Sequence, residues 1–471
     1  MHTLLYILPE IFLSISIMTL LMIGVFVDKS YKLINLLAIL TMFFTIALII
    51  SQPDHTLKVF DGSYIIDKLS RFMKIITLLF CLFILIISQD YLKINNINKI
   101  EYPIIILASI LGMILMISSY DLIIFYLGLE LQSLCLYILA SFKRDDERST
   151  ESGLKYFVLS ALASGLLLYG CSLIYGFTGS TNFEIISNNL NEANTGAVFG
   201  IVFVIVGLAF KVSAVPFHMW TPDVYQGAPT PTTSFLAVAS KAAGVFLLIQ
   251  LIQGPFFALD AFLIPILSVL CVLTILFGNI SATGQTNIKR LIGLSGISHA
   301  GYLLLGVIAS YTVPGAVYAV LFYLSVYLLS SFLVFASLTY MENEEDALLE
   351  TKNYQGLYKQ NPLMGIASLI GIASLAGVPP LGGFVAKVLL FLVAYQAGLY
   401  SLLVVAIIGV VISIYYYFSW IRSIVFISDE GRLDTSNSII LSTPQKCLLI
   451  ILMVAISMAG LFPGLLNYFV Q

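Results

Sequence analysis

Long apolar runs separated by short polar connections make up most of this chain. About 20 apolar residues cross a bilayer as one helix. On that measure the pattern predicts helices at 4–26, 33–51, 72–90, 101–119, 121–142, 153–177, 197–217, 232–253, 258–283, 293–310, 313–340, 362–396, 399–427 and 444–467. The expected fold is therefore an all-α polytopic membrane protein with about 14 transmembrane helices. The longest polar stretches, around 52–71, 179–196, 341–361 and 429–443, are each too short to bury a core of their own. The opening run lacks a basic n-region and a clear small-residue cleavage site, and it outlasts a signal h-region. It therefore reads as the first helix.

Composition sharpens this picture. With 59% hydrophobic residues, 10% charged residues and a mean hydropathy of +1.01 over 471 residues, a large soluble enzyme is excluded. Any soluble-phase reaction must then belong to partner chains. The net charge of −3 is too small to point to a partner. Cys81, Cys135, Cys171, Cys271 and Cys447 are far apart in apolar segments and form no CxxC pair or metal knuckle, so they read as small buried hydrophobes. Neither a GxGxxG nor a P-loop string is present.

The basic residues test the helix assignment, because connections on alternate sides should differ in Lys and Arg. One side collects Lys29, Lys32, Lys93, Lys99, Lys143, Arg144, Arg148, Lys155, Lys289, Arg290, Lys352, Lys359, Arg422, Arg432 and Lys446; the other has Lys58, Lys68, Arg71 and Lys74. Three lysines remain, all inside apolar runs, and they complete the 22 Lys and Arg. By the positive-inside rule both termini face away from the cytoplasm.

Those three are Lys211 in GLAFKVSAVPFHMW, Lys241 in FLAVASKAAGVF and Lys387 after AGVPPLGGF, with Glu130 alone in an earlier run. A charge at mid-bilayer costs about 2.5–3.5 kcal/mol on insertion scales, so such residues are functional candidates. Pro216 cannot donate to the Val212 carbonyl and should break its helix just after Lys211; Pro379 and Pro380, with Gly382 and Gly383, should do the same before Lys387. Non-helical backbone at this depth is tolerated where it is buried in protein or lines a water-filled cavity.

A carboxylate near a buried ammonium stabilises its charge, so a Glu130–Lys211 pair could hold or release a proton. A static ion pair that fastens two helices is the alternative. Lys241, among small residues, fits a relay toward Lys387. His299 in GLSGISHAGY and His218 after the first break are candidate relays, although a lone His is often a packing element. Trp220 and Tyr225 suit an interfacial belt, and Glu10 reads as a structural residue at headgroup level. SAVPF (213–217) against AGVPP (376–380), and LGLE (127–130) against IGLS (292–295), suggest an inverted repeat of five helices.

YLGLELQSLCLYIL (126–139), GLAFKVSAVPFHMWTPDVYQGAPTP (207–231) and LAGVPPLGGFVAK (375–387) resemble the antiporter-like proton-channel subunits of respiratory complex I. The resemblance runs from roughly 100 to 425, and the helix layout extends it to the whole chain. It implies that Glu130 and Lys211 are the modulating pair, Lys241 the link between half-channels and Lys387 the exit residue. A lysine at that last position marks the subunit N branch, where subunit M has glutamate. The chain also lacks the long lateral helix of subunit L, ending at Gln471 after the last span.

The resemblance further implies a single membrane domain: N-terminal helices over 1–100, inverted repeats over 101–256 and 257–428, and a loop with the last helix over 429–471. Breaks fall in helices seven and twelve. The chain would bind no cofactor, with NADH, flavin, iron-sulfur clusters and quinone handled by partner subunits. It would sit between the quinone-proximal subunits and the next antiporter-like subunit in a bacterial inner membrane. Its expected activity is proton translocation within an NADH:quinone oxidoreductase; a subunit of a multi-subunit cation/proton antiporter is the alternative. A scaffold with no proton path is a third.

Overall fold

The computed structural model describes residues 2–27, 31–53, 55–190, 195–341, 350–426 and 441–466. A short α1 (His2–Tyr6) leads into α2 (Leu8–Phe26) and α3 (Tyr31–Ile50). Strands β1 (Leu57–Val59) and β2 (Tyr64–Ile66) then form an antiparallel hairpin ahead of α4 (Lys68–Ile94). Helices α5 (Glu101–Ile117), α6 (Leu122–Ala140), α7 (Glu147–Thr178) and the short α8 (Phe183–Asn189) follow. Next come α9 (Thr195–Val212), α10 (Trp220–Gly227) and α11 (Thr230–Phe235), then a π turn over Leu236–Ser240 that runs into α12 (Lys241–Gln253). The remainder is α13 (Asp260–Ala282), α14 (Ile288–Ala309), α15 (Ala316–Met341), α16 (Leu357–Gln360), α17 (Pro362–Ala376), α18 (Gly382–Gln396), α19 (Tyr400–Val425) and α20 (Thr443–Leu461).

Twelve helical stretches are long and apolar enough to span a membrane. Of three shorter apolar helices, α5 stands alone, while α17 and α18 form one interrupted passage. Fourteen passages thus result among the described residues, as the apolar runs predicted. Local chemistry sets the ends. Asp67 and Ser70 make a reciprocal capping box at the start of α4, and Asp146, Asn182, Asn287 and Asn361 cap α7, α8, α14 and α17. Gly179 ends α7 at φ 72°, a conformation that favours glycine.

The bundle is ordered by burial. The apolar window of α14 is 100% buried, whereas that of α2 is 22% buried, so α14 lies at the centre and α2 at the rim. The helices bearing Lys241 and His299 are therefore shielded on all sides, which is where a charge needs protein groups around it.

Two basic residues depart from the expected distribution. Lys74, counted with the sparsely basic side at the start of the predicted helix 72–90, lies in the second turn of α4 and is buried, because Asp67 starts that helix four residues earlier. Lys289, assigned to the basic loop side, is buried and donates to the Ala228 carbonyl at the end of α10 (2.9 Å). Lys29 and Arg432 lie outside the described residues.

Candidate functional site

Helix α9 ends at Val212, one residue after Lys211, and Ser213 turns the chain at φ 65°. The Val215–Pro216 peptide is cis, and α10 resumes at Trp220. The Trp220 indole donates to the Phe210 carbonyl (2.9 Å) and stacks on Tyr156, which ties the two half-helices together. The break thus falls where Pro216 predicted it.

Lys211 is buried and donates to two hydroxyls, Ser133 Oγ on α6 (2.6 Å) and Ser160 Oγ on α7 (2.9 Å). The rings of Tyr137 and Tyr156 lie 6.0 Å from its ammonium. Glu130, half-buried on α6, accepts from Ser164 on α7. A direct Glu130–Lys211 ion pair is not formed. Ser160 and Ser164 are four residues apart and so share one face of α7. One serine serves the lysine and the other the glutamate.

Gln132, next to Ser133 on α6, donates to Ser240 Oγ (2.6 Å) at the end of the π turn, directly before Lys241. Such π turns recur at functional sites, since the extra residue re-aims the side chains of the next turn. Lys241 donates to the Gly296 carbonyl (2.7 Å) and reaches the Tyr327 hydroxyl at 3.5 Å. His299, one turn along α14 from Gly296, places its ring 4.9 Å from that of Tyr327. Its Nδ1 meets the Tyr323 hydroxyl (2.6 Å) and its Nε2 the Tyr417 hydroxyl (3.2 Å).

The second break spans Gly377 to Leu381, between α17 and α18, and contains the cis Pro379–Pro380 bond. Lys387 turns back from α18 to donate to the Leu375 (3.0 Å) and Ala376 (2.8 Å) carbonyls at the end of α17. Those carbonyls carry the negative end of the helix dipole, which suits a cation. A small cavity of about 10 Å³, near the space one water needs, is lined by His299, Tyr327, Ser330, Ser374 and Lys387.

Glu130, Lys211, Lys241, His299 and Lys387 thus lie in a succession of polar clusters: Ser164 with Glu130, Ser133 and Ser160 with Lys211, the Gln132–Ser240 bond beside Lys241, and Tyr327 with the small cavity between Lys241, His299 and Lys387. His218 stands apart from these clusters. It is buried edge-on against Phe277 (4.3 Å between centroids) and bonds to none of the lysines. Among the described residues no cluster of His, Cys, Asp and Glu could hold a metal ion.

Sequence reasoning missed Tyr327, one of 26 tyrosines. Its four-residue spacing from Tyr323 on α15 was the available signal, because it puts both hydroxyls on the His299 side. A second lysine–glutamate site was missed as well. Lys74 donates to Glu10 Oε1 and to the Tyr64 hydroxyl (2.7 Å each), and Tyr64 donates to the same carboxylate. Glu10, read as a headgroup-level residue, is 4% exposed. On the rim of the same region Lys58 pairs with Glu184, whose carboxylate holds the Lys58 ammonium above the ordinary lysine range.

The family described as "NADH:quinone oxidoreductase/Mrp antiporter, TM" matches this chain over residues 119–413. NADH-quinone oxidoreductase subunit N of Pelagibacter ubique is 47% identical over 93% of each chain. That of Rhodospirillum rubrum is 42% identical over 94% of this chain and 91% of its own length. This chain belongs to the NADH-quinone oxidoreductase subunit N family.

A solved chain of Thermus thermophilus respiratory complex I with bound aureothin superposes on this member of the subunit N family with a TM-score of 0.83 at 30% identity, covering 98% of each. A chain of the Mrp complex from Dietzia sp. shares the fold, at a TM-score of 0.84 and 20% identity. Identities of 40% and more, all with subunit N proteins, favour the oxidoreductase over the free-standing antiporter.

Proposed function

We propose that this chain translocates protons across a bacterial inner membrane, driven by electron transfer from NADH to quinone in partner subunits that hold the flavin and iron-sulfur clusters. The observation that carries this is the succession of polar clusters itself. Three buried lysines on α9, α12 and α18 lie among hydroxyls, an amide and a histidine, and two of the three sit beside broken helices. Polar groups at this depth are costly, and a succession of them has no counterpart in packing.

A proton taken up from the Lys-rich side would pass Lys211 and Lys241 and leave at Lys387. Glu130 would set the charge on Lys211 through the two α7 serines, and His299 would bridge Lys241 and Lys387. The repeats over 101–256 and 257–428 would each contribute one broken helix. Both termini would face the periplasm, with the quinone-proximal subunits on one flank and the next antiporter-like subunit on the other. His218 has no place in this route.

The decisive test is NADH-driven acidification of inverted membrane vesicles carrying Lys211→Ala. NADH oxidation by an artificial acceptor confirms that the complex has assembled. Normal acceptor activity with collapsed pumping is the expected result. Unchanged protons per electron would remove Lys211 from the route and leave the chain as a scaffold.

A further inference from the structure

The Gln132–Ser240 bond reaches from the Lys211 cluster to the residue before Lys241. An amide keeps its donor and its acceptor on separate atoms, so a proton cannot pass through it without the costly imidic acid form. A hydroxyl donates and accepts at one oxygen, and so it can pass a proton. Tyr225 on α10 places such a hydroxyl between the two clusters.

On one side the Tyr225 ring meets that of Trp220 (6.1 Å between centroids), and Trp220 stacks on Tyr156, whose ring lies 6.0 Å from the Lys211 ammonium. On the other side Tyr225 rests against α14. A methyl at Gly293 would stand 3.3 Å from Tyr225 Cδ2, and one at Gly296 would stand 3.2 Å from Lys241 Nζ and 3.0 Å from the Tyr327 hydroxyl. These glycines are three residues apart, so they share one face of α14 and are separated by about 4.5 Å along its axis. Tyr225 therefore stands one turn from Lys241, against the same face.

Read from the sequence as an interfacial-belt residue, Tyr225 is in fact 1% exposed. Its carbonyl accepts from Thr233 Oγ1 (3.1 Å), which fixes the backbone, while its hydroxyl is buried with no hydrogen-bond partner among the described residues. Packing has no use for that oxygen: phenylalanine would fill the same space without a buried, unbonded polar atom. Tyr156 and Tyr327, one from each cluster, are near enough to act on it electrostatically.

We infer, on the basis of the proton route proposed above, that the Tyr225 hydroxyl, together with water, is the relay that carries protons from the Lys211 cluster to the Lys241 cluster. The phenol takes a proton from the Lys211 side as it gives its own to the Lys241 side. One O–H bond forms while the other breaks, so the residue is neutral before and after, and rotation of the new O–H bond resets it.

The test uses the whole complex in inverted membrane vesicles carrying Tyr225→Phe, which keeps the ring against Trp220 and Gly293 and removes only the oxygen. Acceptor activity should stay normal, and quinone-linked turnover should fall about tenfold, the weight of one hydrogen bond at a barrier. The solvent deuterium isotope effect on turnover should rise, because proton movement between the clusters becomes limiting. Tyr225→His, which restores a group that both donates and accepts, should recover turnover and the parental isotope effect. Parental turnover in Tyr225→Phe, or slowed turnover with an unchanged isotope effect, would overturn the relay and leave Tyr225 a packing residue while the route itself stands. Unchanged pumping in Lys211→Ala, measured alongside, would instead remove the route and the relay with it.

Discussion

Replacing Lys74 by Met should be among the most damaging single changes in the N-terminal helices. Lys74 is 1% exposed, and its ammonium touches the Glu10 carboxylate and the Tyr64 hydroxyl at 2.7 Å. Met fills nearly the same volume, so the loss is electrostatic rather than steric. It leaves a carboxylate buried with one phenol as its donor, and breaking a buried pair in this way costs about 3–5 kcal/mol. At about 1.4 kcal/mol per tenfold, the open form of this region should rise by two to three and a half decades.

Cys81 on α4 is buried and reports that opening through its reaction with a maleimide, once the exposed Cys447 has been changed to Ser. Labelling should accelerate by roughly 10²–10³-fold in Lys74→Met and in Glu10→Leu, within the range just given. The double variant removes both charges and should return to within about tenfold of the parent, since apolar replacement of a buried pair is often neutral. If the double variant labels as fast as the singles, the pair is not the fastening described here. If Lys74→Met labels no faster than the parent, the carboxylate finds another donor and the cost has been misjudged.

Two further changes probe the proton line. Ser164→Ala removes the donor to Glu130, a charge-assisted bond of about 1.5–3 kcal/mol; quinone-linked turnover should fall at least tenfold with acceptor activity intact, and an unchanged rate would disconnect Glu130 from coupling. Gly383→Ala sets a methyl against the Ser374 backbone, only 2.6 Å from its carbonyl carbon. The second break should then lose its geometry, visible as reduced assembly on native gels, and normal assembly would show that α18 can shift.

Much of this architecture was legible in the apolar runs, because a bilayer forces each span to declare itself. The two breaks were legible for a similar reason: Pro216, Pro379 and Pro380 lack the N–H a helix needs. What stayed hidden depends on distant partners. Glu10 and Lys74 are separated by most of α2, by α3 and by the β hairpin, and the polar stretch before residue 72 disguised the first turn of α4. The π turn at Leu236–Ser240 has no marker in the sequence LAVAS. That three serines, not direct contact, serve Glu130 and Lys211 could not be read from serines scattered along the chain.

Five lysines are buried among the described residues; Lys289 holds the Ala228 carbonyl at the end of α10, and the other four divide by what holds them. Lys74 faces the Glu10 carboxylate, an acceptor that fastens the ammonium by charge as well as by hydrogen bond. Lys211 faces hydroxyls, which accept from an ammonium and, on rotating, donate to a neutral amine. Lys241 and Lys387 face carbonyls supplemented by Tyr327 and by the space beside His299. Neutral partners tolerate both proton states; an ionised carboxylate favours the charged ammonium. On the proposed route Lys211, Lys241 and Lys387 would pass the proton, whereas Lys74, held by a carboxylate away from that route, would serve as a fastening. Neutralising Lys74 together with Glu10 should accordingly leave protons per electron unchanged, whereas no partner substitution should rescue pumping once Lys211 is lost.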